Sequence, residues 1–143
     1  MILLDTNVLS ELMRPNPNNG VVKWIDAFSD EDVWISAVTV AEIRLGLALL
    51  PEGRRKLTLT KLAEEMFLEE FFEKCLPFDY QAAEVYAQIV SSRSLQGRPI
   101  AVEDAQIAAI ALSGDLELAT RNIRDFLGIE DLKLVNPWET DSV

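Results

Sequence analysis

The chain has 143 residues, of which 49% are hydrophobic, and a formal net charge of −11. This length and composition are typical of one folded domain and argue against a disordered chain. A single cysteine excludes an intramolecular disulfide, and the lack of histidine excludes Ser-His and Cys-His catalysis. No apolar run reaches the roughly 18 residues that a membrane span needs, so we expect a soluble cytoplasmic protein with no membrane partner. The acidic balance opposes loose binding to nucleic acid but suits a site for Mg²⁺ or Mn²⁺, which prefer carboxylate oxygens.

The first half of the chain opens on an apolar run at residues 2–4, followed by Asp5 and a predicted helix at 8–13. A short unbroken apolar run is typical of a strand that is buried on both faces of a parallel sheet. Residues 14–20 are rich in proline and asparagine and are predicted to form a loop. The next predicted elements are a helix at 21–28, a strand at 33–36, a helix at 38–50 capped by Ser36 or Thr39, and a helix or helical pair at 54–72.

The second half continues the alternation of strands and helices. Its predicted elements are a strand at 75–78, a helix at 81–94 capped by Asp79, a helix at 102–112, a strand at 116–120, a short helix at 123–127 and a strand at 132–135. This alternation predicts an α/β fold of three layers, in which a mainly parallel sheet of four to five strands lies between helices. We expect a single domain at 1–138 and a frayed tail at 139–143.

Three acids stand where such a fold would bring polar side chains to the edge of the sheet. Asp5 follows the first strand, at the strand end where open α/β sheets bind ligands. Glu42 lies in an otherwise apolar helix that we expect to be largely buried, although a narrow solvent-facing stripe would also explain it. Asp104 begins an apolar helix that we expect to be inserted in the core, and the helix dipole alone would also favour an acid there.

A fourth polar segment follows the predicted strand at 116–120. Thr120, Arg121 and Asn122 repeat the pattern of residues 5–7, and Asp125 lies three residues further on. An ordinary Asn or Asp helix cap would explain this segment on its own. Taken together, two predicted strands end in matched polar triplets, and two predicted helices each carry one isolated acid.

These segments resemble the PIN-domain ribonucleases, specifically the VapC-type toxins and most closely their FitB-like branch. No single segment is specific, but their order and separations are, and they span nearly the whole chain. The matching stretches are Leu3-Leu4-Asp5-Thr6-Asn7-Val8-Leu9-Ser10-Glu11, Thr39-Val40-Ala41-Glu42, Asp104-Ala105-Gln106-Ile107-Ala108-Ala109, Ala119-Thr120-Arg121-Asn122 and Asn136-Pro137-Trp138. The resemblance implies a PIN domain over residues 1–138 and a Mg²⁺- or Mn²⁺-dependent endoribonuclease, the toxin of a type II toxin–antitoxin system.

The resemblance also implies roles for the site residues. Asp5, Glu42 and Asp104 match the metal-binding acids, and Thr120 matches a hydroxyl that orients water or phosphate. FitB-like sequences often have Asp where this chain has Asn122, so either Asn122 or Asp125 completes the site, or a second metal is held weakly. Because these carboxylates would repel one another, we expect raised pKa values among them. The candidate phosphate-binding residues are Arg121 and Arg124, which flank the fourth segment, and then Arg14, Arg44, Arg93 and Arg98.

The implied partners are an RNA substrate, a DNA-binding antitoxin of VapB or FitA type, and a second copy of the chain within a larger toxin–antitoxin complex. The antitoxin groove is expected at the helix of residues 57–72 or at the face of Leu9, Leu12 and Met13, although both sets would also serve as core. Two other interpretations remain open. A PIN-like domain that has lost catalysis would explain Asn122, and a haloacid-dehalogenase-type phosphatase would begin similarly but needs Asp where Asn7 stands.

Overall fold

The computed structural model describes residues 1–140, and within them five strands form one parallel sheet. The order across the sheet is β3-β2-β1-β4-β5, so β1 is the central strand. Its register places Leu3 beside Trp34 on one neighbour and beside Leu118 on the other. The strands are β1 (Ile2–Leu4), β2 (Val33–Ser36), β3 (Cys75–Leu76), β4 (Glu117–Ala119) and β5 (Leu134–Val135).

Six α-helices pack around the sheet in this part of the chain. They are α1 (Thr6–Leu12), α2 (Asn19–Asp26), α3 (Ala37–Ala48), α4 (Arg54–Glu65), α5 (Tyr80–Leu95) and α6 (Val102–Ser113). A π-helical turn at Met66–Glu70 continues α4, and short 3₁₀ turns lie at Asp30–Asp32 and Ile123–Phe126. None of the helices within residues 1–140 has the length and apolar character to cross a bilayer. The predicted α/β fold with a parallel sheet is confirmed.

Two hydrophobic cores, one on each face of the sheet, produce the three layers. Successive side chains of a strand point to opposite faces, so β1 contributes to both cores. Leu3 packs with the buried residues of α5 and α6, whereas Ile2 and Leu4 pack with those of α1 and α2. All three side chains are at most 2% exposed. The unbroken apolar run at residues 2–4 therefore reflects a strand that is covered on both sides.

Side-chain caps determine where several helices begin. Asp5 is the N-cap of α1 and accepts a hydrogen bond from the Thr6 backbone N–H at 2.8 Å. This helix therefore starts two residues earlier than predicted, which brings Thr6 into its first turn beside Asp5. Ser36 caps α3 and Asp79 caps α5, each by accepting a backbone N–H, as predicted.

The two apolar helices that carry the isolated acids differ in burial. The core position predicted for α6 is confirmed, since six of its twelve residues are buried, including the continuous run 107–111. The expectation that α3 is largely buried is wrong. Only Thr39 and Ile43 are buried in α3, whereas Leu45 and the C-cap residue Leu49 are 61% and 74% exposed. An apolar composition does not reveal how many faces of a helix its neighbours cover, and α3 is covered on one side only.

The C-terminal end lies beyond β5. The backbone N–H of Glu139 donates to the carbonyl of Asn136 at 3.0 Å, and the Thr140 hydroxyl donates to the carbonyl of Pro137 at 3.3 Å. The frayed tail predicted at 139–143 thus has its first two residues tied to the preceding turn, and residues 141–143 lie outside the described residues.

Candidate active site

The polar triplets that follow β1 and β4 meet at the carboxyl edge of the sheet. The pairing of Leu4 with Ala119 is extended by a hydrogen bond from the Asp5 N–H to the Ala119 carbonyl at 2.9 Å. Asp5 and Thr120 therefore lie side by side, and the Thr120 hydroxyl donates to Asp5 Oδ2 at 2.7 Å. Two segments that are 115 residues apart in the sequence join here in one hydrogen bond.

Asp5 is a buried carboxylate, with 5% of its surface exposed. Burial raises its pKa, because the charged form loses hydration. The hydrogen bonds from Thr120 and Thr6 act against this rise, whereas the charges of Glu42 and Asp125 add to it. The net direction is upward, because the effect of burial is the largest of these.

Glu42 is connected to Asp5 through Thr6. The Thr6 hydroxyl lies 2.7 Å from Glu42 Oε1 and 3.0 Å from Thr39 Oγ1, while the Thr6 backbone N–H binds Asp5. One residue of α1 thus orients acids from two different elements. Sequence reasoning did not assign this role to Thr6, although the position of Thr6 directly after Asp5 is the signal that points to it.

Asp104 lies in the first turn of α6 and faces the same space. Burial raises its pKa from 3.8 to about 6, and the nearby charges of Asp5, Asp125 and Glu42 contribute to this rise. The predicted increase in pKa within the acid cluster is confirmed for Asp5 and Asp104.

These side chains line one open cavity of about 750 Å³, called here the acidic cavity. It is formed by the four predicted acids, the predicted Asn122 and six further residues. The full lining is Asp5, Thr6, Asn7, Ser10, Glu11, Arg14, Glu42, Arg55, Asp104, Asn122 and Asp125. The structure therefore brings the predicted acids of four segments together, and Glu42 points into this cavity rather than along an isolated solvent-facing stripe.

Both candidates for the fourth ligand position line the acidic cavity, and both are exposed. Asn122 precedes the 3₁₀ turn at Ile123–Phe126, but its side chain forms no capping hydrogen bond. Helix capping therefore does not account for Asn122. Asp125 lies close enough to Asp5 and Asp104 to contribute to the raised pKa of each.

Thr120 lies behind Asp5 and not in the acidic cavity. It is fully buried, donates to Asp5, and accepts a hydrogen bond from the Asn122 backbone N–H at 3.1 Å. This position differs from the one expected from the family resemblance, where the hydroxyl orients water or phosphate. In this structure, Thr120 holds Asp5 and the start of the fourth segment.

Most of the candidate arginines point elsewhere. Arg121 lies over the ring of Trp138, 4.8 Å from its centroid, and neither Arg121 nor Arg124 lines the acidic cavity. Arg44 forms an ion pair with Glu64 at 2.7 Å. The side chains predicted to bind substrate are thus near the site but outside the cavity.

The side chain of Arg93 is not available to bind phosphate, because it binds backbone carbonyls of the protein. It is 5% exposed and donates hydrogen bonds to three backbone carbonyls, those of Arg98 at 2.8 Å, Asp125 at 3.0 Å and Leu127 at 3.3 Å. Two of these acceptors belong to the segment that presents Asn122 and Asp125. Arg93 thus fixes this segment to α5.

Arg14 is the one predicted arginine among the cavity residues, and Arg55 joins it. Sequence reasoning missed Arg55, which lies in the first turn of α4. No local pattern marks it, because its position at the cavity depends on how α4 packs against α3.

The donor chemistry of the acidic cavity fits a hard divalent cation. Carboxylate and amide oxygens are the ligands that Mg²⁺ and Mn²⁺ prefer. A cation would also offset the repulsion between the acids, which adds to the effect of burial on the pKa values of Asp5 and Asp104. Within residues 1–140, no three His, Cys, Asp or Glu side chains are close enough together to ligate one ion as they stand. The acids share the cavity, and their side chains would have to move closer together to bind the ion.

A second depression, the apolar groove, adjoins the acidic cavity between α1, α3 and α4. It has a volume of about 990 Å³ and shares Thr6, Ser10, Arg14, Glu42 and Arg55 with the cavity. Its apolar side chains are Met13, Ile43, Leu47, Leu50 and Leu59. Met13 and Leu59 come from the two predicted antitoxin surfaces, whereas Leu9 is fully buried and belongs to the core.

Known proteins share this arrangement of elements over nearly the whole chain. A family model described as PIN domain matches residues 2–131. Toxin FitB of Neisseria gonorrhoeae is 48% identical over 138 residues, which cover 96% of this chain and 99% of FitB. VapC ribonuclease Y4jK of Sinorhizobium fredii is 40% identical over 139 residues, covering 97% and 99% of the two chains. A chain in the solved structure of FitAB bound to an IR36 DNA fragment is 46% identical, with a TM-score of 0.90 and coverage of 99% and 98%. The chain therefore belongs to the PIN domain family.

Proposed function

We propose that this protein is an endoribonuclease that acts as the toxin of a toxin–antitoxin pair. The observation that carries the proposal is the convergence of Asp5, Glu42, Asp104 and Asp125, from four separate segments, on one open cavity. The pKa values of Asp5 and Asp104 are raised, chiefly because both carboxylates are buried and in addition because the other acids of the cavity repel them. Such perturbed groups in a cavity are typical of catalytic sites. Similarity to a toxin and to a VapC ribonuclease supports this function.

We further propose that the reaction depends on Mg²⁺ or Mn²⁺. Asp5, Glu42 and Asp104 would hold the ion, and either Asn122, through its amide oxygen, or Asp125 would complete the set. When bound, the ion would supply a water of lowered pKa and neutralise charge that develops on the phosphate. The chain has no histidine to act as a general base, which favours this chemistry.

The protein's own contribution is to hold the carboxylates in place. Thr6 binds both Asp5 and Glu42, and Thr120 binds Asp5 from behind. These contacts limit the rotation of Asp5 and Glu42, so less conformational entropy is lost when the ion binds. The approach that ion binding requires would come mainly from Asp104 and the fourth ligand. We expect the products to carry a 5′-phosphate and a 3′-hydroxyl, as the family resemblance implies.

An antitoxin partner follows from the same family relationship. The FitAB complex supports a protein partner for this chain, and we propose a DNA-binding antitoxin of FitA or VapB type. The apolar groove is the surface best suited to a peptide from such a partner, because it continues directly into the acidic cavity. A peptide in this groove would cover the acids and block access of RNA. We also propose that two copies of this chain form a homodimer within a larger toxin–antitoxin complex.

The proposed function is tested with purified, antitoxin-free protein and total RNA, in the presence of Mg²⁺, Mn²⁺ or EDTA. We expect discrete cleavage that EDTA and Asp5→Asn abolish, with cut sites that sequencing identifies and ends that carry a 5′-phosphate. Metal binding by the wild type without cleavage would favour the alternative of a binding domain that has lost catalysis. Cleavage that persists at the same rate in Asp5→Asn would contradict the assignment of the site.

A further inference from the structure

The acidic cavity contains two basic side chains, and they differ in their contacts. Arg14 follows α1 and forms an ion pair with the buried Glu11 at 3.3 Å. Arg55 is exposed and is in no ion pair among residues 1–140. Arg55 is thus the one guanidinium of this cavity that is not already paired with an acid of the described chain.

Of the 13 basic residues, the others in the described part of the chain are less suited to contact a ligand in this cavity. Arg93 is buried and donates its hydrogen bonds to backbone carbonyls, and Arg44 forms an ion pair with Glu64. Lys56, next to Arg55, is hydrogen-bonded to Glu52 at 2.8 Å and to the Ala48 carbonyl. Apart from Arg14 and Arg55, no base within residues 1–140 lines the cavity.

We propose that Arg55 binds the RNA phosphate adjacent to the scissile phosphodiester; this inference rests on the proposed ribonuclease function. A phosphodiester chain carries one negative charge per nucleotide, and the carboxylates around the cavity would repel every phosphate that is not over the catalytic ion. A guanidinium at the rim compensates this repulsion and donates two parallel hydrogen bonds to phosphate oxygens. The cavity volume of about 750 Å³ leaves room for a nucleotide beyond the reacting phosphate.

The position of Arg55 in α4 allows its side chain to be replaced without an expected loss of stability. It lies in the first turn, where the helix dipole disfavours a positive charge and where no side chain caps the helix. Alanine is also the residue with the highest helix propensity. Arg55→Ala should therefore fold as well as the wild type, so a change in activity will not reflect unfolding.

The test measures cleavage of a short labelled RNA by antitoxin-free protein over a range of NaCl concentrations, for the wild type, Arg55→Ala, Arg55→Lys and Lys61→Ala. Lys61 is exposed on the same helix and does not line the cavity, so its loss changes the net charge equally. We expect Arg55→Ala to raise KM about tenfold with kcat changed less than about twofold, since one charged hydrogen-bonding contact is lost. The slope of log kcat/KM against log salt should become shallower by about 0.7. Arg55→Lys should be intermediate, and Lys61→Ala should match the wild type.

Three results would overturn the inference. An equal increase in KM in Arg55→Ala and Lys61→Ala would mean that the net charge of the protein affects RNA binding and that Arg55 makes no specific contact. An unchanged KM for Arg55→Ala would mean that Arg55 does not bind RNA and serves only the apolar groove, which it also lines. A wild type that cleaves no RNA with either metal would overturn the proposed function itself, and the inference with it.

Discussion

At the scale of single residues, the site depends on hydroxyl groups that hold the acids. Thr120 donates to Asp5 at 2.7 Å and accepts from the Asn122 N–H, while being fully buried. The hydrogen bond from Thr120 lowers the pKa of Asp5 and so favours the ionised form that a cation requires. Thr120 is in this sense a positioning residue, because it acts through Asp5.

The variant Thr120→Val keeps the shape of the side chain and removes the hydroxyl. We expect the pKa of Asp5 to rise further and the affinity for Mn²⁺ to fall about 10- to 100-fold, the usual effect of losing a contact that orients a metal ligand. Isothermal titration with MnCl₂ at neutral pH measures this affinity, with Thr120→Ser as a control that restores the hydroxyl and the affinity. Wild-type affinity in Thr120→Val would contradict the role assigned to the hydrogen bond.

Asp104 gives a prediction for the pH dependence of stability without metal. Its pKa is raised from 3.8 to about 6 in the folded protein, so at pH values between these two the folded state holds a proton that the unfolded state releases. The stabilisation by this proton is complete below the unfolded pKa and is lost as the pH rises through about 6. Asp104→Asn never carries the charge and should not show this loss.

We therefore expect Asp104→Asn to be more stable than the metal-free wild type at pH 7.5, by about 1–2 kcal/mol after allowance for solvent screening, and nearly equal to it at pH 4. Urea unfolding in EDTA at the two pH values measures both differences. If the advantage of Asp104→Asn is the same at both pH values, the ionisation of Asp104 in the folded protein is not its cause.

At the scale of secondary-structure elements, α5 anchors the segment that carries the fourth polar position. Arg93 of α5 donates to the carbonyls of Asp125 and Leu127, which limits the movement of the 3₁₀ turn at Ile123–Phe126. The side chain is buried, so its loss would leave these carbonyls without partners in a poorly hydrated place.

The variant Arg93→Met, which keeps most of the side-chain volume, should lower the free energy of unfolding by about 2–4 kcal/mol. Urea denaturation gives this value, and Arg124→Met serves as a matched control at an exposed position, where we expect a change below about 0.5 kcal/mol. A stability of Arg93→Met within the range of this control would show that the buried hydrogen bonds contribute little.

At the scale of the whole molecule, the sheet and the acid cluster were predictable because they depend on strong local patterns. The apolar run before Asp5 marks the central strand, and parallel pairing with β4 then brings Thr120 to the same edge. Asp104 was predictable for a similar reason, since the apolar residues after it mark a buried helix. These are the parts of the site in which the position along an element determines the position in space.

Other parts depend on how the elements pack, and the sequence does not show this. The apolar residues of α3 suggested burial, yet Leu45 and Leu49 are largely exposed, because the neighbouring helices cover only one side of α3. Arg55 reaches the acidic cavity only because α4 packs across α3. Similarly, the burial of Thr120 places its hydroxyl on Asp5, whereas the local sequence is equally compatible with a hydroxyl that faces the cavity.

The central claim is that acids from four segments form one site for a divalent cation. The most direct test is the melting temperature of wild type and Asp5→Asn, each measured at neutral pH in EDTA and in millimolar MnCl₂. An ion present at about 100 times its Kd stabilises the folded state by about 2.7 kcal/mol, which corresponds to roughly 5–10 °C for a protein of this size. We predict a shift of this order in the wild type and less than about 2 °C in Asp5→Asn. Equal shifts in the two proteins, or no shift in either, would contradict the claim.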